Sequence, residues 1–235
     1  KLQVHFEQFK SAGLLPSPKG PALAVVKLTQ QDDVTNDELA HAIVADPALV
    51  ARLLKLANAC RNQGTRPVLS VKEAIAILGL NAVRGLALGL SLMKHQPLTN
   101  CSAFDYQTFW SRNLARATAM QALTATSRLM QSDEAFCLGL LSGIGELGLA
   151  CLFPVEYASL LSASPVSGKS LLAAERHAFE FDHVDLSVAL LADWGFPPNL
   201  VELVNLQEQA EREPDETPTS RQERLLLTLK LATLI

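Results

Sequence analysis

The chain has 235 residues, 49% of them hydrophobic, which supplies a core for one large domain or two small ones and excludes disorder for most of its length. Twenty lysines and arginines stand against 24 acidic residues, a net charge of -4 with a pI near 5.7, so nothing draws the chain as a whole to phosphate backbones and nucleic acid is not the expected partner. Four cysteines (Cys60, Cys101, Cys137, Cys151) lie far apart without a CxxC pair, which disfavours a zinc knuckle and fits buried thiols in a reducing cytoplasm.

Residues 2 to 12 carry an apolar face (Leu2, Phe6, Phe9) and stop at Gly13, which predicts a short helix. After a proline-rich loop, Pro21 can start the next helix, with Leu23, Val26 and Leu28 as its stripe. Thr35 precedes Glu38 by three residues, a capping-box spacing for a helix through Val44. Asp46 followed by Pro47 starts another, whose buried side is read as Leu49, Leu53, Leu54 and Leu56. Ser70 and Glu73 repeat the capping box, Gly79 breaks the pattern, and the run from Leu80 to Met93 carries Gly85 and Gly89 four residues apart, giving one smooth helix face. Past a polar break at 97 to 105, a long helix is predicted from Tyr106 to Met130.

The stretch FCLGLLSGIGELGLACL (136 to 152) organises the rest. Each glycine inside a helix costs ~1 kcal/mol against alanine, yet Gly139, Gly143, Gly145 and Gly148 sit among seven leucines and isoleucines. Burial at the centre of a helical core offsets that cost, because a missing side chain lets a neighbouring backbone come close. A membrane span is the rival reading, but it needs ~20 apolar residues and Glu146 interrupts this run. Pro154 closes the stretch, an amphipathic helix runs through Phe179, Asp182 caps the next helix, and Gly195 with Pro197 and Pro198 ends it and starts another. A polar stretch between Gln207 and Arg224 reads as a mobile loop, with a last helix from near Ser220. No strand alternation is found, so the fold class is all-α.

Among the histidines there is no HExxH, and the chain has no P-loop and no GxSxG, so zincin, nucleotide-kinase and serine-hydrolase chemistry lack their minimum equipment. His177, Asp182, His183 and Asp185 form the only cluster. It offers ligand types that divalent metals use, but Asp182 as a helix cap with Asp185 in the first turn accounts for it more simply. Arg61, Arg66 and Arg84 are sparse enough to be read as solvated surface.

DPALVARLLKLANA (46 to 59), SVKEAIAILGLNAVRGLAL (70 to 88), FWSRNLARA (109 to 117) and EAFCLGLLSGIGELGL (134 to 149) together resemble the HDOD family, the HD-related output domains of bacterial signalling proteins. The resemblance implies an all-helical, HD-domain-like bundle forming one domain over 1–235, with an N-terminal helical half (1–98) and a degenerate HD-like half (103–235). In HD enzymes a histidine-aspartate pair binds a divalent metal where this chain has Ser142 and Gly143. An upstream metal histidine falls near Arg112, a retained histidine at His183, a further histidine near Gln207, and a terminal aspartate at Thr233. Serine is a poor neutral ligand, glycine has no donor, and a guanidinium repels a cation. No metal, no cofactor and no catalytic residue are therefore expected.

The expected function is that of a non-catalytic, cytoplasmic signal-transduction module that binds a protein partner, with no membrane contact. The alternatives are a divergent phosphohydrolase using His183, Asp182 and Asp185, and a nucleotide sensor in which Arg112 and His183 contact a phosphate. Because the chain opens at Lys1 mid-pattern and stops at Ile235 inside an apolar run, it reads as a piece of a longer protein. A receiver or similar input domain is expected before it, coupled through the helix of Leu2, Phe6 and Phe9. Gly143 is expected to serve packing, with Gly143→Leu costing on the order of 1–3 kcal/mol or more.

Overall fold

The computed structural model describes residues 2–59, 66–94, 100–163, 169–207 and 220–233. Cys60, Arg61, His95 and most of the polar run after Gln207 lie outside them. Among the described residues there are fourteen helices and no strand.

The first half follows the local signals closely. Helix α1 (Leu2–Ser11) ends before Gly13, and α2 (Pro21–Leu28) starts with proline at its first position. At α3 (Asn36–Val44) the capping box is complete: Glu38 N donates to the Thr35 hydroxyl and Thr35 N to the Glu38 carboxylate. Asp46 Oδ1 accepts from the amides of Ala48 and Leu49 and so caps α4 (Pro47–Ala59). The capping box read at Ser70 is a correction: α5 (Val71–Leu78) has no side-chain hydrogen bond at its N-cap. The α2 stripe also differs, with Ala22, Val25 and Val26 buried and Leu23 on the outer side. Gly79, at φ 79°, takes the left-handed conformation that lets α5 turn through 111° into α6 (Leu80–Lys94).

The second half comprises α7 (Tyr106–Ser127), α8 (Ser132–Leu141), α9 (Ile144–Leu152), α10 (Pro154–Ala163), α11 (Lys169–Phe179), α12 (His183–Asp193), α13 (Pro198–Leu206) and α14 (Arg221–Thr233). Helix α7 stops three residues before the predicted Met130 because Arg128 adopts a left-handed conformation at its end. The glycine-rich stretch forms α8 and α9, broken at Ser142 and Gly143.

Two apolar cores meet across α6 and α8. One is built from α2 to α6 and receives Cys137 of α8; the other gathers Leu88 and Leu92 of α6, α1 and the helices from α7 onward. The Gly85–Gly89 face of α6 packs on α8, since a Cβ at either glycine would lie 2.5 Å from Cys137 or Leu140. Gly139 meets the Ala117 backbone of α7 in the same way. The stretch Ser132–Leu152 is long and apolar enough to cross a membrane, but 78% of its apolar window is buried inside the chain's own core.

Arg84 corrects the surface reading of the arginines. It is 4% exposed, and its guanidinium donates to the Thr29 carbonyl, to Thr29 Oγ1 at 2.8 Å and to the Gly195 carbonyl, with the Phe196 ring beneath it at 5.7 Å. This one side chain ties the end of α2 to the turn between α12 and α13. Arg66, by contrast, is exposed.

Candidate functional site

The break between α8 and α9 faces α7, and α7 presents a polar edge to it. Its inward stripe runs Phe109, Asn113, Ala117, Met120, so the asparagine occupies a core position; it is fully buried and donates to the Phe109 carbonyl at 2.9 Å. Arg116 follows one helical turn after Arg112. Its Nη1 donates to Ser142 Oγ at 3.0 Å and to Asn113 Oδ1 at 3.4 Å. The Ser142 carbonyl in turn accepts from the Gln207 side-chain amide at 3.3 Å. Arg112 Nη2 reaches across to Glu146 Oε2 at 2.5 Å. Arg112, Ser142, Gly143 and Gln207, four positions singled out by the sequence, are thus brought together around one backbone break.

Gly143 is buried, and what it faces on α7 is side chain and not backbone. A Cβ there would point at Arg116 Nη1 and Asn113 Oδ1, both at 3.1 Å, and at the Glu146 carboxylate. The close approach belongs to Gly145, where a Cβ would lie 1.8 Å from the His183 carbonyl oxygen of α12. Only a hydrogen fits between these backbones. Ser187 seals the contact, accepting from Gly145 N and donating to the His183 carbonyl, each at 2.8 Å.

His183 lies on the far side of this contact. Asp182 and Asp185 form a reciprocal capping box at the start of α12, and Arg176 approaches Asp182 at 2.7 Å, so the acidic pair is committed to the helix start. His177, the fourth member of the cluster, is exposed. His183 Nδ1 lies 2.7 Å from Oε2 of Glu175, and His183 N donates to the same oxygen at 2.9 Å. The Tyr157 hydroxyl donates to the other oxygen at 3.2 Å. Burial acts to lower the imidazole pKa, but the hydrogen bond to Glu175 and the charges of Glu146, Glu175 and Asp182 outweigh it, and the net shift is upward. Burial, reinforced by Glu146 and Glu175, pushes the Tyr157 phenol up strongly. Thr233 stands apart: it is exposed and bonds its own helix at the Leu229 carbonyl.

The residues present do not fit the divalent ion of an HD centre. Ser142 and Gln207 are neutral and hydrogen-bonded internally, Gly143 has no donor atom, and a guanidinium sits 3.0 Å from Ser142. His183 gives its Nδ1 to Glu175. Among the described residues no three His, Cys, Asp or Glu side chains are grouped to hold a metal.

Sequence reasoning missed Glu175, Asn113 and Arg116. The signal was present as polar residues on inward stripes. Glu175 lies between Leu172 and Phe179 at helical spacing, and all three are buried. Asn113 interrupts the α7 stripe in the same manner.

The family model for the HDOD domain matches residues 15–210. Among solved structures, the chain is similar to the MmoQ response regulator of Methylococcus capsulatus str. Bath, at 42% identity over 91% of this chain and 82% of that one, with a TM-score of 0.56. It also shares its fold with an HDOD domain protein of unknown function from Geobacter sulfurreducens (19% identity, 100% of this chain and 78% of that one, TM-score 0.64). A protein of Shewanella amazonensis SB2B with a provisional phosphohydrolase name is likewise similar in fold (24% identity, 96% of this chain and 79% of that one, TM-score 0.66). No curated protein matches the chain.

Proposed function

Because the chain belongs to the HDOD family, we propose that it is a regulatory output domain of a signalling protein, one that acts by binding a protein partner and catalyses no reaction of its own. The observation that carries this reading is the hydrogen bond from Arg116 to Ser142. At the position that the family resemblance assigns to the metal of an HD enzyme, a buried guanidinium is held against a serine hydroxyl, and a fixed positive charge opposes a divalent cation. Without a metal there is neither an activated water nor charge stabilisation for a leaving phosphate. The similarity to a protein named as a response regulator supports a place downstream of a receiver or another sensory domain.

A nucleotide-sensing role would need Arg112 and His183 for the phosphate. Both are already engaged by carboxylates, Glu146 and Glu175.

The test is elemental analysis of protein purified without chelator, with assays on cyclic dinucleotides and aryl phosphates. The expected result is no stoichiometric manganese, iron or zinc and no turnover. One metal ion per chain, or turnover that His183→Ala abolishes, would reinstate the phosphohydrolase.

A further inference from the structure

Helix α1 is tied to the rest of the fold at few points. It packs on α12, yet an open groove of about 650 Å³ runs between the two, with Phe6 and Phe181 buried at its base. The stretch that the family shares begins at residue 15, so α1 precedes it. Among the described side chains of α1, the one polar tie to another element is Lys10 with Asp193, and Lys10 is half exposed, which makes the pair weak. Gly13 follows the helix at φ 67°, and a Cβ there would meet no atom within 4 Å, so the chain leaves α1 through a pivot in open space. A helix of ten residues is too short to hold its shape alone in water. The order of α1 therefore depends on where Phe6 and Phe9 rest.

Phe9 rests edge-on against Phe153, their ring centroids 6.1 Å apart. Phe153 lies flat on Phe179 at 4.6 Å, and Phe179 meets Tyr157 at 6.2 Å. The Tyr157 hydroxyl donates to Glu175, the carboxylate that holds both the amide and Nδ1 of His183. One column of rings thus joins the loosely tied α1 to the buried pair that fixes the turn between α11 and α12. We propose that α1 is a releasable strap: docked, it caps the column, and swung away about Gly13 it uncovers Phe153 and loosens the hold of Glu175 on His183. The two states differ in the docking of a single element, so α2 to α8 need not rearrange. As a means of regulation this deepens the output-domain reading and rests on it. An input that grips α1 shifts the balance by as much as it prefers one state over the other.

Amide hydrogen exchange on the whole chain, followed by NMR, tests this. In the wild type the α1 amides should exchange at least about a hundredfold faster than the slowest of α7, because α1 opens without global unfolding. Phe9→Ala removes the contact at the head of the column and should speed exchange in α1 and at the His183 amide at least about tenfold, while α7 keeps its rate. Lys10→Glu sets a carboxylate against Asp193 and alters no ring; it should act in the same direction on both, to a smaller degree. Exchange of α1 in step with α7, or a His183 amide indifferent to Phe9→Ala, overturns the proposal. So does a variant in which α7 quickens as much as α1, since that is global unfolding. Turnover by a chain that still shows the expected rates would end the output-domain reading and keep the strap, whereas rates out of that order would end the strap and leave the metal and hydrolysis assays as they were.

Discussion

One oxygen of Glu175 receives two hydrogen bonds from a single residue, the backbone amide and the Nδ1 of His183, at 2.9 and 2.7 Å. The carboxylate is completely buried and the imidazole nearly so. The pair therefore holds the turn between α11 and α12 in place, and it does so best with the imidazole charged.

Stability should depend on pH through this pair. The folded-state pKa of His183 lies above the unfolded value of 6.5, so the folded chain holds the proton more tightly. The contribution is fully present below 6.5 and is lost as pH rises through the higher folded value. Urea unfolding from about pH 6 to 9 should show that decline. In His183→Ala the decline attributable to this group should vanish, and near pH 6 the variant should be less stable by about 3 kcal/mol. A wild-type profile flat across that range would contradict the charged pair.

Asp133, in the first turn of α8, should produce a second, lower step. It is 5% exposed, its Oδ2 has no hydrogen-bond partner, and burial pushes its pKa up to about 6. An unfolded aspartate ionises first as pH rises, so stability is greatest below 3.8 and falls through about pH 6. Asp133→Asn should remove that step and stabilise the protein near pH 7.5 by ~1–3 kcal/mol, with little effect near pH 4. Melting temperatures of the two proteins at both pH values check it.

Arg84 should be among the most demanding single positions in the chain. Its removal leaves the Thr29 and Gly195 carbonyls without their buried donor. Arg84→Ala should cost about 3 kcal/mol or more, and Arg84→Lys should recover little of it, since one ammonium cannot span two carbonyls and a hydroxyl in the plane the guanidinium provides. Denaturant midpoints would measure both; a full rescue by lysine would show that charge alone matters there.

The two glycines at the α8–α9 break should separate by their surroundings. Gly145→Ala drives a Cβ into the His183 carbonyl at 1.8 Å and should cost ~3 kcal/mol or more, because backbone must move. Gly143→Ala meets side-chain atoms at 3.1 Å and should cost ~1 kcal/mol or less. Thermal melts of the two variants should fall in that order.

The sequence by itself determined where helices begin and which faces are smooth. A capping box joins residues three apart, as at Thr35 and Glu38 or Asp182 and Asp185, and a glycine pair four apart lies on one helix face as soon as the helix forms. The family likewise followed from local runs, and with it the positions Arg112, Ser142, Gly143 and Gln207 that the fold gathers at one break. Only the tertiary structure decided what those positions do to one another. Arg84 reads as a surface arginine until acceptors 55 and 111 residues away in sequence close around it. Gly143 and Gly145 are indistinguishable in a string of letters, yet one faces a polar network and the other a carbonyl. The reason is that capping energies are set within a single turn of chain. The fate of a buried charge or a missing Cβ is set by atoms that only the packing of distant helices brings near.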